Sequence, residues 1–233
     1  MSNQVIIVTG GNSGIGKAIV EKYLKYSNNV VYSLSRHISN ELDKRCKQVK
    51  VDVRDIDSVN NVIRQIVKEE GKIDILVNNA GIILDGFFLQ MSPEKFKQVI
   101  ETNLFGYVWI ARAVMPYMVR QRSGVVCNIS SISGINGQPG QANYATAKGG
   151  IIAFTKTLAK EYGRFGIRVN SVSPGFVDTK MTSRLRNRQT IEKYIALNRF
   201  GKPEEIANCV YALNSSEFSY VTGSNLVIDG GLI

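Results

Sequence analysis

Short apolar runs of strand length alternate with longer segments of helical periodicity from one end of the chain to the other, and this alternation restricts the fold more than any other feature. The first run, Val5-Ile6-Ile7-Val8, has no polar face. Strands of that kind belong in a parallel sheet covered on both sides, with crossover helices supplying the cover. The periodicity predicts strands at 4–9, 29–34, 48–51, 73–77, 124–129, 167–172 and 225–228, and helices at 14–26, 55–69, 93–119, 142–162 and 203–213. A weaker helical pattern covers 180–197, and a short helix is expected within 39–46. Ser92-Pro93 with Glu94 marks a helix start, Ser as cap and Pro in the first turn. The expected class is α/β, with a seven-stranded parallel sheet and helices on both faces. With 233 residues, 44% of them hydrophobic, and no internal repeat, low-complexity tract or Pro/Gly linker, residues 1–233 read as a single domain.

Composition excludes several classes. No segment reaches the 18 uninterrupted apolar residues a membrane-spanning helix needs. Met-Ser-Asn-Gln runs straight into the first strand and leaves no room for a signal peptide, so the expected location is cytoplasmic. Cys46, Cys127 and Cys209 lack paired spacing and read as buried or idle thiols; His37 is the single histidine, which argues against a zinc site and against a Ser-His-Asp hydrolase. No metal is expected. The net charge is +10, and half of it lies in residues 176–202, where Lys180, Arg184, Arg186, Arg188, Lys193, Arg199 and Lys202 face only Asp178 and Glu192. Such a stretch is either a solvated helix face or a surface for an anionic partner. No nucleic-acid motif or groove of interleaved aromatics accompanies it, so no nucleic acid is expected.

Tyr144 and Lys148 stand four residues apart, with Ser131 thirteen residues upstream of the tyrosine. On a helix that spacing puts phenol and ammonium on one face. A fixed positive charge favours the phenolate, drawing a pKa of about 10 toward neutrality and making the tyrosine a usable general acid. A Tyr and a Lys so spaced also occur by chance on many helices; neighbouring motifs decide. Thr9-Gly10-Gly11-Asn12-Ser13-Gly14-Ile15-Gly16 lies where the first strand gives way to the first helix, so its amides and the helix dipole can meet a pyrophosphate. Asn78-Asn79-Ala80-Gly81 follows the fourth strand, at the carboxyl edge where open α/β sheets bind ligands.

With Thr9–Gly16, Asn78–Gly81, Asn103, Ser131, Tyr144, Lys148 and Pro174-Gly175 in this order, the chain resembles the short-chain dehydrogenase/reductase family over essentially its whole length. The run Gly140–Lys148 and the ending Thr222–Asn225 through Asp229-Gly230-Gly231 are most similar to 3-oxoacyl-[acyl-carrier-protein] reductases. The resemblance implies a Rossmann-like doubly wound domain whose cofactor is held by Gly10, Asn12, Ser13, Gly14, Ile15 and Gly16. Further along, Asn79, Ala80 and Gly81 would line the cofactor, with Asp52 and Val53 at the adenine. Asp52 could equally cap the next helix. Ser35-Arg36 replaces the usual ribose-reading carboxylate, and an arginine fork suits a 2′-phosphate, so NADP(H) is expected over NAD; a surface arginine ending a strand is the alternative.

The implied chemistry is hydride transfer from NADPH to a carbonyl carbon, with Tyr144 protonating the oxygen and Ser131 hydrogen-bonding it. Spacing within the family selects Ser131 over Ser130. Lys148 would tune the phenol and hold the nicotinamide ribose, and Asn103 would hold a water near it. Pro174, Gly175, Val177 and Thr179 would pass the nicotinamide and open a basic substrate flap at 176–202. The implied substrate is a 3-oxoacyl thioester, with acyl carrier protein as partner. Arg122 falls at a carrier-docking position, while the second docking arginine is displaced to Arg164, with Phe165 in its place. An NADP-dependent dehydrogenase of a small alcohol, sugar or cyclic ketone is the alternative, and a non-catalytic dinucleotide sensor would have little need of the Ser, Tyr, Lys set. Family members usually assemble as homotetramers through the helices at 93–119 and 142–162 and the last strand.

Overall fold

The computed structural model describes residues 4–25, 28–183, 185 and 187–233. Seven strands form one sheet: β1 (Val5–Thr9), β2 (Val30–Ser35), β3 (Lys47–Lys50), β4 (Ile75–Asn78), β5 (Gly124–Ile129), β6 (Ile167–Pro174) and β7 (Asn225–Ile228). Their order is β3-β2-β1-β4-β5-β6-β7 and every pairing is parallel. The order reverses between β1 and β4, where Ile6, Ile7 and Val8 pair with Ile75, Leu76 and Val77. Successive strand side chains point to opposite faces, so each face needs its own cover. Val5 and Ile7 pack under α2 (Ile56–Glu70) and α4 (Gly106–Gln121) with Ile63, Ile110 and Met118, while Ile6 and Val8 pack under α1 (Gly14–Lys25) and α8 (Pro203–Asn214) with Ile19, Tyr23 and Val210.

Helix starts follow the sequence where it carries a cap. Ser92 accepts a hydrogen bond from the Lys95 amide at 3.3 Å to open α3 (Pro93–Ile100), and Asp55 accepts from the Ser58 amide at 3.0 Å to open α2. Three helical expectations need correction. The helix expected over 93–119 is interrupted by a π-helical turn, Glu101–Phe105, before α4 begins at Gly106. No helix forms within 39–46: Asp43 accepts from the Arg45 amide at 2.9 Å, a local bond that substitutes for a helical one. Among the described residues of 180–197 only α7 (Arg188–Glu192) is helical; Arg184 and Arg186, like Tyr26 at the end of the first expected helix, lie outside the described residues. A four-residue helix, α5 (Ser133–Asn136), was not anticipated; it precedes α6 (Ala142–Tyr162). Among the described residues no helix is long and apolar enough to cross a membrane.

Candidate active site

The reversal of strand order sets the loops after β1 and β4 side by side at the carboxyl edge. The Thr9 hydroxyl accepts from the amides of Asn79 (2.9 Å) and Ala80 (3.1 Å), and the Asn79 side chain donates back to the carbonyls of Thr9 and Gly10, both at 3.1 Å. Glycine turn and Asn78–Gly81 loop are thereby one unit. The first turn of α1 carries no acidic side chain, so its amides and dipole are left for an anion. Above these loops opens a cleft of about 830 Å³, lined on this side by Gly10, Asn12, Ser13, Gly14 and Ile15, and by Asn79, Ala80 and Gly81.

Beyond β2 and β3 the cleft is lined by Arg36, Asp52, Val53 and Arg54. Arg36 is exposed just past the end of β2, with no carboxylate on that strand end. The Asp52 carboxylate grips the Arg54 guanidinium, the shortest contact being 2.6 Å, and this pairing, with the more distant charge of Arg36, holds its pKa below the usual range. Asp52 is not the cap of α2, because Asp55 fills that place. Arg54 escaped sequence reasoning; a second arginine beside the expected ribose position was its only signal.

Beyond β5 and β6 the lining includes Ser131, Tyr144, Lys148, Pro174, Gly175, Val177 and Thr179. The helix that carries tyrosine and lysine is fixed from beneath by a chain of amides: Asn78 donates to Asn128 and Asn128 to Thr155 on α6, each at 2.9 Å. From the side, α5 lies so close that a Cβ on Gly134 would come within 2.6 Å of the Lys148 carbonyl carbon, which only glycine allows. The Ser130 hydroxyl donates to the Lys148 carbonyl at 2.8 Å and is engaged in that bond, whereas the Ser131 hydroxyl oxygen accepts from the Ser133 amide at 3.1 Å and keeps its own proton to offer.

Lys148 Nζ lies 5.6 Å from the centre of the Tyr144 ring, so both side chains share one face of α6. The ammonium is buried, donating to the Ile129 carbonyl at 2.7 Å and to the Tyr107 hydroxyl at 3.1 Å, and Tyr107 donates in turn to Ile129 at 3.1 Å. Burial pushes Lys148 down to about 7. It also pushes the Tyr144 phenol up to about 12, with the Ser131 hydroxyl easing the rise and the Asp85 charge adding to it. The phenol is thus raised where the spacing predicts a lowering, because burial dominates and the ammonium bonds to Ile129 and Tyr107. Tyr107 was missed in the sequence; it follows Asn103 by four residues, the same spacing that singled out Tyr144 and Lys148.

Two of the expected residues do not line the cleft. Gly16 packs beneath the glycine turn, and Asn103 is fully buried. The Asn103 side chain accepts from the Ile82 amide and donates to the Ile82 carbonyl, both at 2.8 Å, and so fixes the chain just after Gly81. The π turn gives this asparagine its aim. Across the mouth, the 176–202 segment is tied down where Gly201 donates to Phe176 at 2.9 Å and Asp178 donates to Gly201 at 2.8 Å. Its charge is partly neutralised: Arg188 pairs with Asp178 (3.0 Å) and Glu192 (2.9 Å), and Arg199 with Glu205 (2.7 Å).

A family model described as enoyl-(acyl carrier protein) reductase matches residues 10–233. The chain belongs to the short-chain dehydrogenase/reductase family. This short-chain dehydrogenase/reductase is therefore an oxidoreductase. It is 43% identical to the 3-oxoacyl-[acyl-carrier-protein] reductase FabG of Thermotoga maritima, covering 100% of this chain and 99% of the relative. Identity to the protein of the same name from Chlamydia muridarum is 42%, over 99% of this chain and 97% of the relative. Among solved structures, the ligand-free aldohexose dehydrogenase of Thermoplasma acidophilum superposes with a TM-score of 0.93 at 35% identity, covering 99% of this chain and 94% of that one.

Proposed function

We propose that the chain reduces a 3-oxoacyl thioester to the 3-hydroxyacyl thioester with NADPH, the acyl group arriving on an acyl carrier protein. The observation that carries the chemistry is the convergence of the Ser131 and Tyr144 hydroxyls in one cleft, with Lys148 on the tyrosine's own helix face. A carbonyl oxygen has two lone pairs and can accept from both hydroxyls. NADPH, when bound, supplies the hydride that the carbonyl carbon receives. As negative charge develops on the oxygen, Tyr144 gives it a proton; a phenol raised by burial is fully protonated at neutral pH and ready as the acid. Lys148, while charged, stabilises the phenolate left behind and would hold the nicotinamide ribose. Asn103 fixes the loop after Gly81 through Ile82.

The cofactor's extra phosphate fits the basic end of the cleft, where Arg36 and Arg54 together outweigh Asp52. The acyl thioester is favoured by the names of the relatives at 42–43% identity. Arg122, in a left-handed conformation at the end of α4 (φ 52°), donates to the Arg164 carbonyl at 3.3 Å, and these adjacent arginines suit an acidic carrier. We also read residues 1–233 as one catalytic unit with 176–202 as its substrate flap, and the assembly as a homotetramer; exposed Phe105 on the π turn before α4 and Leu226 and Val227 on β7 support the latter.

The aldohexose dehydrogenase neighbour favours a second reading, NADP-dependent oxidation of a small alcohol or sugar. Turnover of 3-oxobutanoyl thioester with NADPH, measured beside that of a plain cyclic ketone and an aldohexose with NADP, separates the two. A thioester reduced no faster than the cyclic ketone removes the first reading.

A further inference from the structure

Tyr107, the second residue of α4, is 1% exposed and does not line the cleft, unlike Tyr144 and Lys148. Its hydroxyl meets two groups, donating to the Ile129 carbonyl at 3.1 Å and accepting from Lys148 Nζ at 3.1 Å. The Ile129 carbonyl alone satisfies the phenol's one donor, so the bond from Lys148 goes beyond what burying a tyrosine requires. Nζ stands 4.9 Å from the centre of the Tyr107 ring and 5.6 Å from that of Tyr144, which sets the ammonium between two phenols, one walled off from the cleft and one lining it. An ammonium has three N–H donors, and Ile129 and Tyr107 take two of them, leaving a single one for the cleft. In the neutral amine the same two bonds are kept and the lone pair takes the third direction. The proton that Lys148 gains or loses is then the one that faces the cleft. Among the described residues no carboxylate pairs with Lys148, so neutral groups alone hold it. The other titratable groups of these surroundings act on the phenols instead: Asp85, in the loop after β4, on Tyr144, and Cys127 of β5 on Tyr107.

We propose that Tyr107 is a positioning residue for Lys148: its hydroxyl, together with the Ile129 carbonyl, aims the third N–H of the lysine into the cleft where Tyr144 gives up its proton. This role rests on the hydride-transfer reading of the cleft. Tyr107 itself passes no proton onward, because its hydroxyl hydrogen is committed to Ile129 and it has no opening to the cleft. Without that hydroxyl the second N–H has no fixed acceptor and the ammonium is free to turn. Its charged form also loses a hydrogen bond that favours it, so Lys148 gives up its proton at a lower pH.

The test compares the unaltered full chain with Tyr107→Phe, which keeps the ring and removes the hydroxyl, and with Tyr107→Met, which removes the ring as well. Turnover of the N-acetylcysteamine thioester of 3-oxobutanoate with NADPH is followed from about pH 6 to about pH 9.5, a window below the unfolded lysine value. Tyr144 and Cys127, each raised to about 12, titrate above this window, so activity lost with rising pH reports Lys148. In Tyr107→Phe kcat near pH 7 should fall about three- to tenfold, and the alkaline limb should move to lower pH by about half a unit or more. NADPH binding, followed by fluorescence, should be unchanged. Urea midpoints of the ligand-free protein read the same titration without substrate: Lys148 titrates below its unfolded value of about 10.4, so stability climbs with pH above the folded value, and in Tyr107→Phe the climb should begin about half a unit or more lower. A kcat lowered equally at every pH, with limb and climb unmoved, would make Tyr107 a packing residue only and overturn the proposal, as would unchanged turnover throughout. If Tyr107→Phe does not fold, Tyr107→Met carries the same comparison; failure of both to fold would assign the hydroxyl to the core alone and also overturn it. No turnover by the unaltered chain, with the climb still shifted in Tyr107→Phe, would overturn the reductase reading and leave the anchoring of Lys148 standing.

Discussion

Lys148 Nζ donates to the main-chain oxygen of Ile129 at 2.7 Å, so the cation of the site hangs from the end of β5. Its other partner, the Tyr107 hydroxyl, is neutral as well. With the charged form unpaired and buried, Lys148 holds its proton only up to about pH 7, against about 10.4 in an unfolded chain. Between pH 7 and 9 the unfolded state therefore binds more protons, and stability should rise with pH by up to about 1.4 kcal/mol per unit. Urea midpoints of the ligand-free protein at pH 7, 8 and 9 are expected to climb, and in Lys148→Met the climb should flatten. Parallel pH profiles for the two proteins would show that the lysine is not desolvated as described.

Arg36 carries the expectation about the cofactor's second phosphate. Arg36→Asp puts a carboxylate where a ribose hydroxyl would be read and removes a charged donor, so NADPH should bind about 10–100-fold more weakly while NADH holds or gains. Arg54 is committed to Asp52, and Arg54→Ala should cost less. Titration of both dinucleotides against each variant checks this; equal weakening of NADPH and NADH by Arg36→Asp would contradict the phosphate role.

Asn103 satisfies both main-chain groups of Ile82. Leucine in its place leaves a buried amide and carbonyl without partners, each worth about 1–3 kcal/mol, so Asn103→Leu should lose about 2–6 kcal/mol of stability. Urea unfolding measures it directly, and a loss under about 0.5 kcal/mol would show that the loop finds other partners.

Gly16 underlies the glycine turn without facing the cleft. A Cβ there would stand 2.2 Å from the Gly10 carbonyl oxygen and 2.5 Å from Asn79 Nδ2, and the first of these is backbone that no rotamer change can clear. Gly16→Ala should destabilise the fold by about 1–3 kcal/mol and weaken dinucleotide binding, since Gly10 and Asn79 must both move. Thermal unfolding together with an NADPH titration tests both effects; an unchanged melting temperature would mean that the turn is softer than its hydrogen bonds imply.

The architecture was legible because apolar periodicity is a local property, and all seven strands fall where it placed them, to within two residues at their starts. The site was legible for a related reason. Thr9–Gly16, Asn78–Gly81 and Tyr144–Lys148 each sit at a strand end or on one helix turn, and the sheet order alone brings them together. What the sequence hid depends on contacts between distant segments. The π turn at Asn103 interrupts a stretch whose sequence is helical on either side of it, and the partner of its asparagine, Ile82, is 21 residues away. α5 has four residues, too few to show a period, and it exists to bring Gly134 against Lys148. Tyr107 and Ile129 hold Lys148 from elements 41 and 19 residues distant, so the spacing of Tyr144 and Lys148 could reveal their shared face but not where the ammonium would bond.

The role of Tyr144 as the proton donor is tested most directly by Tyr144→Phe, which keeps the ring and removes the hydroxyl alone. With NADPH and 3-oxobutanoyl thioester, kcat is expected to fall about 10²–10⁴-fold while NADPH binding, followed by fluorescence, stays unchanged. A variant that binds NADPH and still turns over within about threefold of the unaltered protein would contradict the assignment of the acid, and with it the mechanism.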